Sequence, residues 1–191
     1  MALKPSKFKS TNHRLKMKQC YNEFKEVMHM KVKFGDQYLE LTGNSQTLGN
    51  HAPNFKVIDR YLNPKSLEDF NSKWLILSVV PSLDTGVCDQ QTRKFNEALN
   101  AINDLTVLTI SNDLPFAQQR WCASAGLENI ITLSDHKDLS FAMAYGTLIK
   151  QHRLQSRAVF VLNEAREIIH LEYLDDVSKH PNYDAVIALF K

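Results

Sequence analysis

The sequence predicts an α/β domain, a layered sandwich in which helices flank a mixed central β-sheet, with a β-hairpin ahead of it. Three observations carry this. Residues 74–80 (WLILSVV) and 105–110 (LTVLTI) are short, continuous apolar runs, as expected of strands buried on both faces. Segments with helical spacing and helix-boundary signals follow each of them. Residues 157–162 and 168–174 are two further apolar runs separated by a short polar turn around 163–166, so the sheet also takes in sequence-adjacent strands.

Taken in order, residues 1–27 show no sustained period and read as a flexible basic extension. Tyr21, Phe24, Val27 and Met28 form one helical stripe that nothing extends. Met28 and Met30 are alternative starts for the domain, which is placed at residues 28–191. Residues 31–34 and 37–41 flank Gly35-Asp36, a hairpin signal. Residues 54–59 read as a strand, and 66–70 as a short capped helix. After the 74–80 strand and a loop at 81–87, residues 88–103 read as a helix. Val87, Gln91, Phe95, Leu99 and Ile102 recur there on one mostly apolar stripe. Asp113 or Leu114 precedes Pro115 at the first turn of the next helix, and Gly126 closes it. A short strand at 130–133, a helix at 138–145 ended by Gly146, the two strands already named and a last helix at 181–189 complete the chain.

Composition narrows the function classes. The chain has 191 residues, 43% of them hydrophobic, with 23 basic and 21 acidic groups. That is enough for a core, and a net charge of +2 argues against disorder and against a dedicated nucleic-acid binder. The charge is uneven. Residues 1–27 hold seven basic groups and two acids, a balance of +5, which leaves −3 for the rest. Three cysteines (Cys20, Cys88, Cys122) without a CxxC pair support neither a disulfide framework nor a zinc ribbon. The seven histidines, His136 and His152 among them, show no metal-like pairing, so no metal or other cofactor is expected. No run is long enough to span a bilayer, and the basic N-terminus lacks the apolar stretch of a secretory signal. These features point to a soluble cytoplasmic protein that engages neither membrane nor nucleic acid.

The chemistry concentrates at residues 81–88, PSLDTGVC, between a buried strand and a helix. A cysteine in a first helical turn faces free backbone N–H groups and the positive end of the helix dipole, and both favour the reactive thiolate. Asp84 or Thr85 is placed to cap the helix, and Gly86 lets the backbone bend toward whatever approaches.

The pattern Pro-x-x-x-Thr-x-x-Cys at this junction resembles the peroxiredoxin active-site motif. The longer run PSLDTGVCDQQTRKFN is similar to the thiol peroxidase subfamily of atypical two-cysteine peroxiredoxins, and so are ISNDLPFAQQRWCASAGLENIITLSDH and LQSRAVFVLN. The likeness runs from about Phe34 to Lys191. It implies a thioredoxin-like fold and a peroxidase acting on hydrogen peroxide and organic hydroperoxides, in antioxidant defence.

The resemblance also implies roles. Cys88 is the peroxidatic cysteine, oxidised to a sulfenic acid. Thr85 directs its hydroxyl at the sulfur and the peroxide oxygens. Arg157 stabilises the thiolate and polarises the peroxide. Pro81 shields the sulfur from water. Cys122, 34 residues after Cys88, is the resolving cysteine that closes an intrachain disulfide, which thioredoxin then reduces. A disulfide needs Cα atoms about 4.4–6.8 Å apart, so two cysteines on separate helices imply local unwinding on oxidation. The subfamily is homodimeric, which makes a dimer the expectation here.

Other residues carry two readings each. Arg93 faces either the site or solvent. Phe116, Trp121 and Leu83 either line a pocket for an alkyl chain or serve packing. Cys20 lies outside the resemblance and reads as a free tail thiol. A relay protein that passes the Cys88 oxidation to a partner is the alternative from another class. Cys122, which allows a closed cycle, favours the enzyme.

Overall fold

In the computed structural model, which describes residues 30–99, 101–127 and 129–191, the hairpin expected around Gly35 is present. β1 (Lys31–Phe34) and β2 (Gln37–Thr42) pair antiparallel with Phe34 opposite Gln37. Gly35 takes φ +60° at the first central position of the turn, a conformation that glycine adopts at no steric cost. The readings for residues 1–27, including Cys20 and the stripe through Tyr21 and Phe24, and for Met28, concern residues outside those described. Met30 is described, and packs against the small core of Val32, Leu39, Leu41 and Ile149.

Next come β3 (Lys56–Asp59) and β4 (Pro64–Ser66), then a single 3₁₀ turn at Leu67–Asp69. Ser66 and Asp69 form a capping box, the Ser66 N–H donating to Asp69 Oδ2 at 2.6 Å. β5 (Trp74–Val79) leads to α1 (Gly86–Leu99), β6 (Leu105–Ser111), α2 (Pro115–Ala125) and β7 (Ile131–Ser134). Then follow α3 (Ser140–Tyr145), β8 (Leu148–Ile149), β9 (Leu154–Gln155), β10 (Ala158–Leu162), β11 (Ile168–Tyr173) and α4 (Tyr183–Ala188).

The sheet is mixed, as the sequence predicts. Seven strands run in the order β11-β10-β5-β6-β7-β3-β4, with β5, β6 and β7 mutually parallel and the other neighbours antiparallel. β5 explains the absence of alternation in its sequence. Leu75, Leu77 and Val79 enter one core with Phe55, Phe141, Tyr145 and Phe160, while Ile76 on the other face joins Phe95, Leu99, Val159, Val161 and Val186 beneath α1 and α4. A strand covered on both faces has no polar side to show.

Three differences from the sequence reading have local causes. α1 begins two residues before the expected start because the Thr85 carbonyl already accepts the Asp89 N–H at 2.9 Å. It ends at Leu99, where the chain turns back, with Ile102 N–H donating to the Leu99 carbonyl at 3.1 Å and Asp104 at φ +60°. Ile102 still packs on the core under α1, so the apolar period outlasts the helix. Third, β8 and β9 extend the hairpin into a second sheet, β1-β2-β8-β9. Two-residue strands carry no period, and neither they nor β4 were expected.

Candidate active site

β5 delivers the chain to the site. The even-numbered side of that strand faces α1 and presents Ile76, Ser78 and Val80. Beyond it, Pro81 and Leu83 are buried and Ser82 is half-buried. The Asp113 carboxylate holds this loop. It accepts from the Ser82 hydroxyl at 2.7 Å, the Leu83 N–H at 2.8 Å and the Ser111 hydroxyl at 2.8 Å. Asp113 is therefore not the cap of α2. Leu114 holds that position, with no side-chain cap, and Gly126 at φ +67° closes the helix as expected.

Cys88 sits in the first turn of α1 and is fully buried. Two donors meet at its sulfur, the Thr85 hydroxyl at 2.8 Å and Arg157 Nη2 at 3.2 Å. Thr85 Oγ1 also lies 3.2 Å from the Ser82 carbonyl. A hydroxyl has one proton, so it donates either to that carbonyl or to the sulfur, and an anionic sulfur draws it. The Thr85 side chain is thus engaged with Cys88 and Ser82. Gly86 lies outside the left-handed region, and a Cβ there would meet open space.

Arg157 is 1% exposed, immediately ahead of β10. Its Nε and Nη2 donate to the Val177 carbonyl at 3.0 and 2.8 Å, and its Nη1 donates to Gln91 Oε1 at 2.6 Å. Gln91 is itself fully buried, its amide donating to Ser78 Oγ at 2.8 Å. Among these partners two are neutral oxygens and one is sulfur. A buried guanidinium is costly without a counter-charge, and of the three only the sulfur can carry one. The arrangement therefore suits a Cys88 thiolate. Tyr183 on α4 feels both groups. Burial pushes its hydroxyl up to about 12, with Arg157 opposing and Cys88 adding to the rise, so it is a neutral phenol near neutral pH.

Cys122 lies on α2, 1% exposed, in one apolar cluster with Cys88, Val80, Leu83 and Trp121. Both thiols are free. Leu83 and Trp121 thus pack around the two sulfurs, while Phe116 is 59% exposed and outside the cluster. Arg93 does not reach the Cys88 sulfur. It pairs with Asp89 at 3.0 Å, donates to the Ala125 carbonyl at 3.4 Å and lies 6.0 Å from the Trp121 ring centre, linking α1 to α2. His136 Nδ1 is 2.7 Å from Ser134 Oγ, and the His152 ring lies 5.0 Å from the Phe34 ring centre, tilted by 39°.

Of the five residues singled out in the sequence, the fold brings Thr85 and Arg157 onto the Cys88 sulfur, puts Cys122 in the same cluster and buries Pro81 at the end of β5. Sequence reading missed Gln91, Asp113 and the Val177 carbonyl. Gln91 had a signal, a lone amide on the apolar stripe of the cysteine's own helix. A backbone carbonyl has none.

A sulfur held by a hydroxyl and a buried guanidinium at a helix start, on a thioredoxin-like mixed sheet, defines a redox protein that works through a thiol. The family model described as Redoxin matches residues 47–187. A thiol peroxidase of Staphylococcus haemolyticus is 50% identical over 161 residues, covering 84% of this chain and 98% of that protein. One from Bacillus subtilis is 46% identical over 161 residues, covering 84% and 96%. Among solved structures, a peroxiredoxin-like protein from Aquifex aeolicus superposes with TM-score 0.78 at 30% identity, covering 84% of this chain and 95% of that one. The thiol peroxidase from Chromobacterium violaceum gives TM-score 0.77 at 24% identity, covering 84% and 94%, a likeness of fold. The chain belongs to the redoxin family and, within it, to the thiol peroxidases. It is accordingly an oxidoreductase of the peroxidase kind. Among the described residues no helix is long and apolar enough to cross a membrane.

Proposed function

We propose that this enzyme reduces hydrogen peroxide and organic hydroperoxides with Cys88 as the attacking sulfur and Cys122 as the resolving one. The observation that carries the reading is the convergence of the Thr85 hydroxyl and the Arg157 guanidinium on the Cys88 sulfur. The Cys88 thiolate attacks one peroxide oxygen, the O–O bond breaks, and the departing alkoxide or hydroxide takes up a proton to leave as alcohol or water. Cys88 becomes a sulfenic acid. As negative charge moves from sulfur to the leaving oxygen, the fixed guanidinium and hydroxyl stabilise it where water is excluded. Pro81 and Leu83 help to exclude that water.

Cys122 then attacks the sulfenic sulfur, forming the Cys88–Cys122 disulfide and releasing water, and the dithiol of thioredoxin reduces it by exchange. Both sulfurs are buried on separate helices, so closing the bond unwinds the first turn of α1 and part of α2. Crystal structures of both redox states with an unchanged backbone there would rule this out. We further propose a cytoplasmic homodimer. The exposed Leu114 and Phe116, which flank Pro115 beside the loop held by Asp113, are apolar surface suited to that contact, and the mass in solution tests it.

The deciding experiment is thioredoxin-coupled peroxide consumption by the wild type, Cys88→Ser and Cys122→Ser. Cys88→Ser is expected to be inactive, and full activity would end the proposal. Cys122→Ser is expected to keep one turnover and lose recycling.

A further inference from the structure

Asp113 stands where the two cysteine-bearing segments meet. It lies between β6 and α2, the helix that carries Cys122. Its main chain is fixed to the sheet, with the N–H donating to Ser111 Oγ at 3.3 Å and the carbonyl accepting from the Ser134 hydroxyl. Ser111 Oγ also accepts from Nε2 of the fully buried Gln118 on α2, at 3.1 Å. From this base the carboxylate reaches the loop ahead of Cys88, taking the Ser82 hydroxyl on one oxygen and the Leu83 N–H on the other. Among the described residues, no other hydrogen bond ties Ser82 or Leu83 to a different segment. Both partners matter to the sulfurs. The Ser82 carbonyl accepts the Thr85 N–H at 3.3 Å, so the turn that brings the Thr85 hydroxyl to the Cys88 sulfur starts from a residue that Asp113 holds. The Leu83 side chain packs in the cluster that contains both cysteines.

We propose that Asp113 is the latch of this loop: it holds Thr85 and Leu83 in the arrangement that reacts with peroxide, and it releases them before Cys122 reaches Cys88. Asp113 is a positioning residue, acting through Ser82 and Leu83. The proposal rests on the reading of Cys122 as the resolving cysteine and on the unwinding that its attack requires. The latched loop serves two peroxide reactions. In the first, thiolate and hydroperoxide give sulfenic acid and alcohol or water. In the second, sulfenic acid and another hydrogen peroxide give sulfinic acid and water: a new S–O bond forms, the O–O bond breaks, and the sulfur loses two more electrons. The released loop serves the closing step, in which the S–S bond forms, the S–O bond breaks and the departing hydroxide takes up a proton. Asp113 therefore sets how the sulfenic acid divides between disulfide and sulfinic acid. Losing one hydrogen bond to a charged group shifts a balance between two conformations by about ten-fold or more, which is enough to redirect that division.

The test mixes the reduced full-length protein with hydrogen peroxide, quenches at intervals with a sulfenic-acid trap and a thiol alkylator, and counts the products by intact mass. It compares the wild type, Asp113→Ala, Ser82→Ala and Cys122→Ser. Asp113→Ala is expected to form sulfenic acid about ten-fold more slowly, to close the disulfide at the wild-type rate or faster, and to give a smaller share of sulfinic acid at high peroxide. Ser82→Ala removes one of the two loop bonds and leaves Asp113 in place. It is expected to show the same split at about three-fold, and it reads the latch by itself should Asp113→Ala fail to fold. Sulfenic-acid formation at the wild-type rate, or an unchanged sulfinic share, overturns the proposal. Slowing of both oxidation and closure overturns it in favour of a general structural role. Cys122→Ser separates the two levels. If it stops at sulfenic acid while the loop variants show no split, only the role of Asp113 falls. If it still forms a disulfide at Cys88, the resolving role of Cys122 falls first, and the proposal with it.

Discussion

Around Cys88, polar side chains are buried because each finishes another's hydrogen bonding. Gln91 holds the Arg157 guanidinium with its carbonyl and Ser78 with its amide, so a single side chain ties the arginine to β5 from the cysteine's own helix. Gln91→Leu keeps the volume but leaves an arginine N–H and the Ser78 hydroxyl without these partners. We expect it to cost about 1–3 kcal/mol in urea unfolding. Because the guanidinium loses its orientation, the rate of sulfenic-acid formation in stopped flow is expected to fall about ten-fold, less than the roughly hundred-fold expected for Arg157→Ala. A drop in stability with an unchanged oxidation rate would show that Val177 alone orients the arginine. Gln91 was readable as an anomaly, an amide at a position whose neighbours along the stripe are Phe95 and Leu99. Its partner across the sheet was not readable.

At the scale of elements, short pieces are joined by buried polar groups rather than by their own length. α3 has only six residues, and Asp135 serves its N-terminus by accepting from the Phe141 and Ala142 N–H groups at 3.0 and 2.8 Å. The same carboxylate accepts from Gln155 Nε2 at 3.0 Å and so ties α3 to β9. Burial is the larger influence and pushes the Asp135 carboxyl up to about 6, with these hydrogen bonds opposing. The native state therefore holds the proton at a pH where the unfolded chain, near 3.8, has released it. Stability from this group is present below the unfolded value and is lost as pH rises through about 6, by up to roughly 3 kcal/mol. Denaturant unfolding between pH 3.5 and 7 is expected to show that loss in the wild type and a flatter profile in Asp135→Asn. Parallel profiles would assign the pH dependence elsewhere.

Across the whole molecule, the N-terminal hairpin supports the site from a distance. Lys33 exchanges backbone hydrogen bonds with Asp175 and Val177 at 2.7 and 3.0 Å, and the Val177 carbonyl in turn receives Arg157. A chain starting at Met28 keeps every one of these contacts, so it is expected to match the full-length protein in melting temperature and peroxide consumption. Loss of either would give residues 1–27 a part in the enzyme. The sequence alone was enough for the strand runs, the Gly35 hairpin, the Pro115 and Gly126 helix boundaries and the Cys88 motif, because periodicity, caps and turn residues act over a few neighbouring positions. Only the tertiary structure decided which side chains meet. Asp113 holds the loop at Ser82 and Leu83 instead of capping α2, and Gln91 and Val177 orient Arg157. Those contacts depend on sheet order and register, set by the packing of all the strands together, and no local stretch of sequence encodes them.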